Sequence, residues 1–211
     1  MKDLREMTAA ELASVTWSDA PAPGGGSIAA LAGSLAAALT GMVANLSQGA
    51  KYEAVREEMA AIAAEMHQLK DQLLMAMQQD TEAFSLYMAA LAMPKNTEEE
   101  KEIRREKMQL GLKRAAETPL QVAKSILPVF DMAERVLQSG NPHAATDGLV
   151  SAMLARTGIL GALLNVKINL GSIKDAEYVD RMALEVCALE KAALEGEKKV
   201  LALSRYSASL G

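Results

Sequence analysis

The chain has 211 residues, a net charge of −5 and one cysteine; half of it is apolar and only 3% is aromatic. That length suffices for one sizeable core or two small ones, and the acidic balance, without a basic patch interleaved with aromatics, excludes nucleic acid as an expected partner. Cys187, in an Ala/Leu/Glu stretch, reads as an inert core residue in a reducing compartment, and Met1 to Glu6 lack the apolar core of a signal peptide, so the expected location is the cytoplasm.

Residues 2–16 read as a short amphipathic helix with Leu4, Met7 and Leu12 as its apolar points, and Thr8 with Glu11 offers a capping box for a shorter second piece. Trp17 follows, either walling a site or filling core. Pro21-Ala22-Pro23-Gly24-Gly25-Gly26-Ser27 cannot sit inside a helix and is a loop. It opens the uncharged run Ile28 to Leu46, which reads as a helix with Ser27 as its N-cap. A glycine loop there either is a simple capped turn or aims free backbone N–H groups, reinforced by the helix dipole, at a carboxylate, a phosphate or an electron-rich heterocycle. Ala29, Gly33, Ala37, Gly41 and Asn45 recur every fourth residue and form a small-residue strip that admits another backbone closely. A membrane span is the rival reading; the abundance of Ala, Gly, Ser and Thr argues instead for a central buried helix.

A turn at Gly49 to Tyr52 leads into a long helix from about Glu53 to Met93. Val55, Met59, Ile62, Met66, Leu69, Leu73 and Ala76 step by fours and threes, the signature of a helix–helix seam. The next step lands on Asp80, and later ones on Ala83, Phe84 and Tyr87. A carboxylate in an apolar seam is costly unless paired, so Asp80 is either half of a buried salt bridge or an acid/base group tuned by burial. Pro94-Lys95-Asn96 ends that helix, and Thr97 with Glu100 starts the next with a second capping box. The charged run from Glu98 to Arg105 is a solvated face. Thr118-Pro119 predicts a further helix start, Pro128 a kink, and Gly140 to His143 a tight loop. Asp147, Ser151, Gly158, Asn165 and Asn169, spaced by 4, 7, 7 and 4, share one helix face. That stripe either bonds other helices or lines a polar pocket. Gly171 closes this helix, and a final one runs from Asp175 to Ser207.

These elements predict an all-α protein, one domain over residues 1–211, built as a single bundle of long helices whose length suits pairing with a second subunit. His67 and His143 stand apart without carboxylates at ligand spacing, so no metal site is expected; the glycine loop lacks the lysine of a Walker motif. A glycine loop, a seam carboxylate and a polar helix stripe suit proton transfer on an organic anion.

On Pro21 to Ser27, Asp80 to Phe84, Pro94 to Asn96, Gly140 to Pro142 with Asp147, and Asn165 to Leu170, the chain resembles the cyclodeaminase/cyclohydrolase family of one-carbon folate metabolism, over approximately residues 4–205. The resemblance implies an all-helical homodimer that either closes the bridge of a formimino-folate with release of ammonia or hydrolyses the bridged methenyl-folate. It implies Asp80 as the catalytic acid/base, Gly24, Gly25, Gly26 and Ser27 lining the folate site, and Asp147, Asn165 and Asn169 nearby. Lys51 is expected toward the folate glutamate tail, and Thr146 stands where a serine is frequent. No cofactor beyond the tetrahydrofolate-derived substrate is implied, no membrane, and substrate is expected from solution or from a separate formiminotransferase. A catalytically silent helical assembly protein is the alternative class, though it leaves Asp80 and the polar stripe without a purpose.

Overall fold

The computed structural model describes residues 3–204, which form helices and connecting turns and no strand. A single 3-10 turn at Leu4–Glu6 precedes α1 (Ala9–Trp17), whose start is fixed by the reciprocal Thr8/Glu11 capping box. Then come α2 (Gly25–Asn45), a 3-10 segment at Ala50–Val55, α3 (Arg56–Leu91) and α4 (Glu98–Ile126), the last opened by the Thr97/Glu100 capping box. α5 (Val129–Ser139), a turn at Pro142–Ala144, α6 (Ala145–Leu170) and α7 (Ala176–Ala202) complete the bundle. The predicted end of the last helix at Ser207 lies outside the described residues.

α2 is central. It packs on α3 along one flank and on α6, antiparallel to it, along another, while α4 bridges α3 and α6. The small-residue strip makes this possible. Ala29, Gly33, Ala37 and Gly41 are buried, although Asn45 at the end of the strip is exposed. A methyl group added at Gly158 of α6 would lie 2.9 Å from the Ala29 carbonyl oxygen and 3.0 Å from the Gly33 nitrogen. Both obstacles are backbone and cannot rotate away. Gly158→Ala is therefore expected to destabilise the fold by about 2 kcal/mol, the cost of overpacking, which urea unfolding measures. By length and hydropathy, α2 and the Pro142–Leu170 stretch are each long and apolar enough to cross a membrane. In this fold they are the two helices that pack against each other.

The α3 seam is built as its periodicity predicts through Met59, Ile62, Met66, Leu69 and Leu73, all buried; thereafter Met77 is buried while Ala76 is only partly so. Four other expectations are corrected. The helix after the glycine loop begins at Gly25 with Gly24 as its N-cap, so Ser27 sits inside the first turn, fully buried. Pro119 does not open a helix: α4 runs through it without a break, and the chain breaks instead around Leu127 and Pro128. Cys187 is exposed, because α7 buries the row Tyr178, Met182, Val186 and Leu189, and position 187 lies about 100° around from it. Trp17 is 90% exposed and does not fill core.

Candidate active site

Where the N-terminus of α2 meets the second half of α3 and the C-terminal turns of α6, a cleft of about 270 Å³ opens. Pro21, Ala22 and Gly24 to Gly26 form one wall, Asp80, Thr81 and Phe84 a second, and Asn165, Ile168 and Asn169 a third, with Ala115 of α4 at the back. Among these side chains Asp80 alone ionises. The cleft therefore pairs one acid with neutral amides, backbone N–H groups at a helix start and apolar walls.

Among the described residues, Asp80 meets no lysine or arginine. Its partner is Ser27, whose hydroxyl donates to Oδ2 at 3.1 Å, and the Ser27 backbone N–H donates to the carboxylate as well. That N–H belongs to the first turn of α2, where no intrahelical acceptor exists, so Asp80 caps α2 from another helix. Partial burial raises the Asp80 pKa, and the two Ser27 donors oppose the rise without cancelling it. The glycines create the room. A Cβ at Gly26 would fall 2.6 Å from Asp80 Cγ and 2.7 Å from Oδ2, and one at Gly25 would fall 3.2 Å from Asn165 Nδ2. Gly24, by contrast, faces open space.

The amide wall owes its geometry partly to Pro119. Proline has no N–H to give the carbonyl four residues back, which in α4 is that of Ala115. Asn169 Nδ2 takes that carbonyl at 3.1 Å and also donates to the Asn165 carbonyl at 2.7 Å. Asn165 Nδ2 donates to the Gly161 carbonyl at 2.9 Å. Asn169 Nδ2 thus spends both of its N–H groups on backbone carbonyls and Asn165 Nδ2 one of its two, so Asn169 offers its oxygen as an acceptor while Asn165 can both accept and donate.

The structure thus brings together Gly24, Gly25, Gly26, Asp80, Asn165 and Asn169. Ser27 is adjacent but turned inward. Asp147 is in the first turn of α6, about 27 Å along the helix from Asn165. Lys51 is exposed in the 3-10 segment beyond the opposite end of α2. The polar stripe of α6 accordingly divides: Ser151 bonds Thr40 at 2.7 Å and the Ala36 carbonyl at 2.8 Å, and Gly158 serves close packing, so only the two asparagines reach the cleft. Thr81, Phe84, Ala115 and Ile168 were not singled out as lining residues by the sequence. Thr81 and Phe84 carried a signal, lying one and four residues beyond Asp80 on the same helix; Ala115 and Ile168 join only through tertiary packing. Among the described residues, no group of three or more His, Cys, Asp or Glu side chains is placed to share a metal ion.

The formiminotransferase-cyclodeaminase family pattern matches residues 8–188. The chain is 38% identical over 183 residues to the formimidoyltransferase-cyclodeaminase of Gallus gallus, a match that takes in 86% of this chain and 34% of that protein. It is 36% identical over 170 residues to the methenyltetrahydrofolate cyclohydrolase of Methylorubrum extorquens, 80% of this chain and 82% of that one. The chain thus spans about a third of the bird protein and most of the bacterial one. The crystal structure of formiminotetrahydrofolate cyclodeaminase from Thermotoga maritima superposes with a TM-score of 0.84 at 28% identity, over 95% of this chain and 96% of that one.

Proposed function

The chain belongs to the formiminotransferase-cyclodeaminase family, and from that premise we propose that it is a folate one-carbon enzyme that cyclises formimino-tetrahydrofolate to 5,10-methenyltetrahydrofolate and ammonia. The observation that carries this reading is the lone carboxylate of Asp80 in a cleft otherwise lined by neutral groups. N10 attacks the carbon of the formimino group, whose nitrogen is protonated, forming the N10–C bond of a tetrahedral intermediate. Asp80 takes the proton that N10 sheds and returns it to the departing nitrogen; the C–N bond breaks, ammonia leaves and the bridge carries the positive charge. One carboxylate suffices, because the same proton is taken and given back. An anionic Asp80 in an uncharged surround also favours the cationic bridge electrostatically. The Asn165 and Asn169 oxygens are acceptors suited to pterin N–H groups, and the Gly24 to Gly26 backbone lets the ring lie close.

The 36% identity over most of the Methylorubrum protein favours a second reading, methenyltetrahydrofolate cyclohydrolase, in which Asp80 accepts the proton of the attacking water. A side-by-side assay separates the two. Ammonia and the near-ultraviolet methenyl chromophore rising together from formimino-tetrahydrofolate would establish cyclisation; accelerated chromophore loss from the methenyl compound, with the first inert, would establish hydrolysis. No response to either sinks both readings.

We also propose that the working unit is a homodimer in the cytoplasm. Ile28, Leu35, Met42 and Leu46 of α2 and Val150, Leu164 and Ile168 of α6 are exposed, and helical phase puts both rows on the same outer side of the antiparallel pair. No charge interrupts either row. A two-fold axis perpendicular to the helix pair would lay a second copy across this face with its Lys51 and Asp147 end toward the Asp80 end of the first, offering a cation for the folate glutamate. Leu35→Asp, near the middle of the α2 row, is expected to yield monomers in sedimentation velocity with turnover lost; an unchanged sedimentation coefficient would refute this face. Substrate is taken from solution or from a separate formiminotransferase.

A further inference from the structure

Ser27 is fully buried and does not line the cleft, so it cannot touch a ligand there. Its hydroxyl reaches Asp80 Oδ2 at 3.1 Å, and Thr81 Oγ1 lies 3.4 Å behind it. An ionised carboxylate only accepts hydrogen bonds. While Asp80 is charged, the single Ser27 hydroxyl proton must therefore point at Oδ2, and the contact behind it must run from the Thr81 hydroxyl to the Ser27 oxygen. Among the described residues no other side chain donates to Asp80. We propose that Ser27 and Thr81 are positioning residues, a two-hydroxyl chain that anchors Asp80 Oδ2 and leaves Oδ1 to exchange protons with the substrate. Only the identity of that substrate rests on the folate reading.

The anchor has chemical consequences because, among the described residues, no other side chain competes with it. From α2 the groups facing Asp80 are Gly26 and Ser27, from α6 the amides of Asn165 and Asn169, from α4 Ala115, and from α3 Thr81 and Phe84; none is charged. Burial pulls the carboxyl toward its protonated form, and the Ser27 donors pull it back. A proton taken up at Oδ1 leaves Oδ2 a carbonyl-type acceptor, so the Ser27 hydroxyl keeps its direction in both protonation states. The same two hydroxyls thus serve both halves of a proton shuttle.

The test follows the Asp80 carboxyl directly, by carbon NMR of ligand-free protein labelled at aspartate, with Asp80→Asn to assign the signal. Ser27→Ala, checked for folding by thermal melt, is expected to move the Asp80 titration to higher pH. Thr81→Val is expected to move it less, and Thr81→Ser, which keeps the hydroxyl, to restore it. The acid limb of kcat/KM moves with the signal, so that on the acid side of the limb the Ser27→Ala rate falls about tenfold relative to the parent, more than on the plateau. An Asp80 signal that titrates at the parent pH in folded Ser27→Ala, or a rate loss equal at every pH, overturns the proposal. Because the titration needs no substrate, failure of both folates to react would sink the folate reading and leave this test intact.

Discussion

Asp80→Asn is expected to lower kcat by about 1,000-fold, the usual contribution of a positioned acid/base group, while the protein stays folded. The asparagine side-chain oxygen can still accept from Ser27, so the cap on α2 survives, but nothing remains to take a proton from N10. Stability separates this from a structural role. Burial raises the Asp80 pKa above its unfolded value, so the native state holds that proton more tightly than the unfolded chain. The stabilisation this supplies is complete below the unfolded value and is lost as pH rises through the folded one. At neutral pH the parent carries the cost of a partly buried charge that the variant lacks. Asp80→Asn is therefore expected to be as stable as the parent or more so at neutral pH, with the gap closing on acidification. Chemical denaturation across pH, beside turnover, checks both halves. A variant that unfolds or dissociates with no specific loss of rate per folded molecule would support the silent assembly protein instead.

The second large effect is expected at Gly26. A methyl group there meets the Asp80 carboxylate at less than van der Waals distance from all three of its outer atoms. The carboxylate cannot simply swing aside, because Ser27 holds it by side chain and backbone. Gly26→Ala is predicted to cost about 2 kcal/mol in stability and, by displacing the carboxylate, about 100-fold in kcat. Gly24→Ala supplies the contrast. Gly24 has nothing within 4 Å of its added methyl and no left-handed backbone to accommodate, so its stability should stay within about 0.5 kcal/mol of the parent. Comparable stability losses at both positions would mean that the loop needs glycine for its backbone and not for the approach of Asp80.

Much of this arrangement is legible in the residues themselves. The strip Ala29, Gly33, Ala37 and Gly41 announces a helix that others approach closely, and both capping boxes occur where Thr8/Glu11 and Thr97/Glu100 place them. Asp80 is conspicuous because it interrupts an apolar row whose spacing is otherwise regular. What the sequence hides is mostly the result of contacts between distant elements. Pro119 looks like a helix start, since proline usually is one; it remains inside α4 because the carbonyl it leaves unbonded finds Asn169, fifty residues later in the chain. The α6 stripe looks continuous by spacing, yet α6 is long enough that its two ends serve different places, and Ser151 is consumed by Thr40 and the Ala36 carbonyl. Ser27 looks like a cap until Gly24 is seen to start the helix, which turns its hydroxyl toward Asp80. Trp17 and Cys187 look like core by type, and both are exposed.

Whether one carboxylate in an otherwise uncharged cleft carries the proton is read from the pH dependence of kcat/KM with formimino-tetrahydrofolate. One protein ionisation is predicted on the acid side, raised from the ordinary aspartate value because burial raises Asp80, and it is predicted to disappear in Asp80→Asn. Activity that persists undiminished down through the ordinary carboxylate range, or an Asp80→Asn variant that keeps the parent's rate and profile, would contradict that role for Asp80.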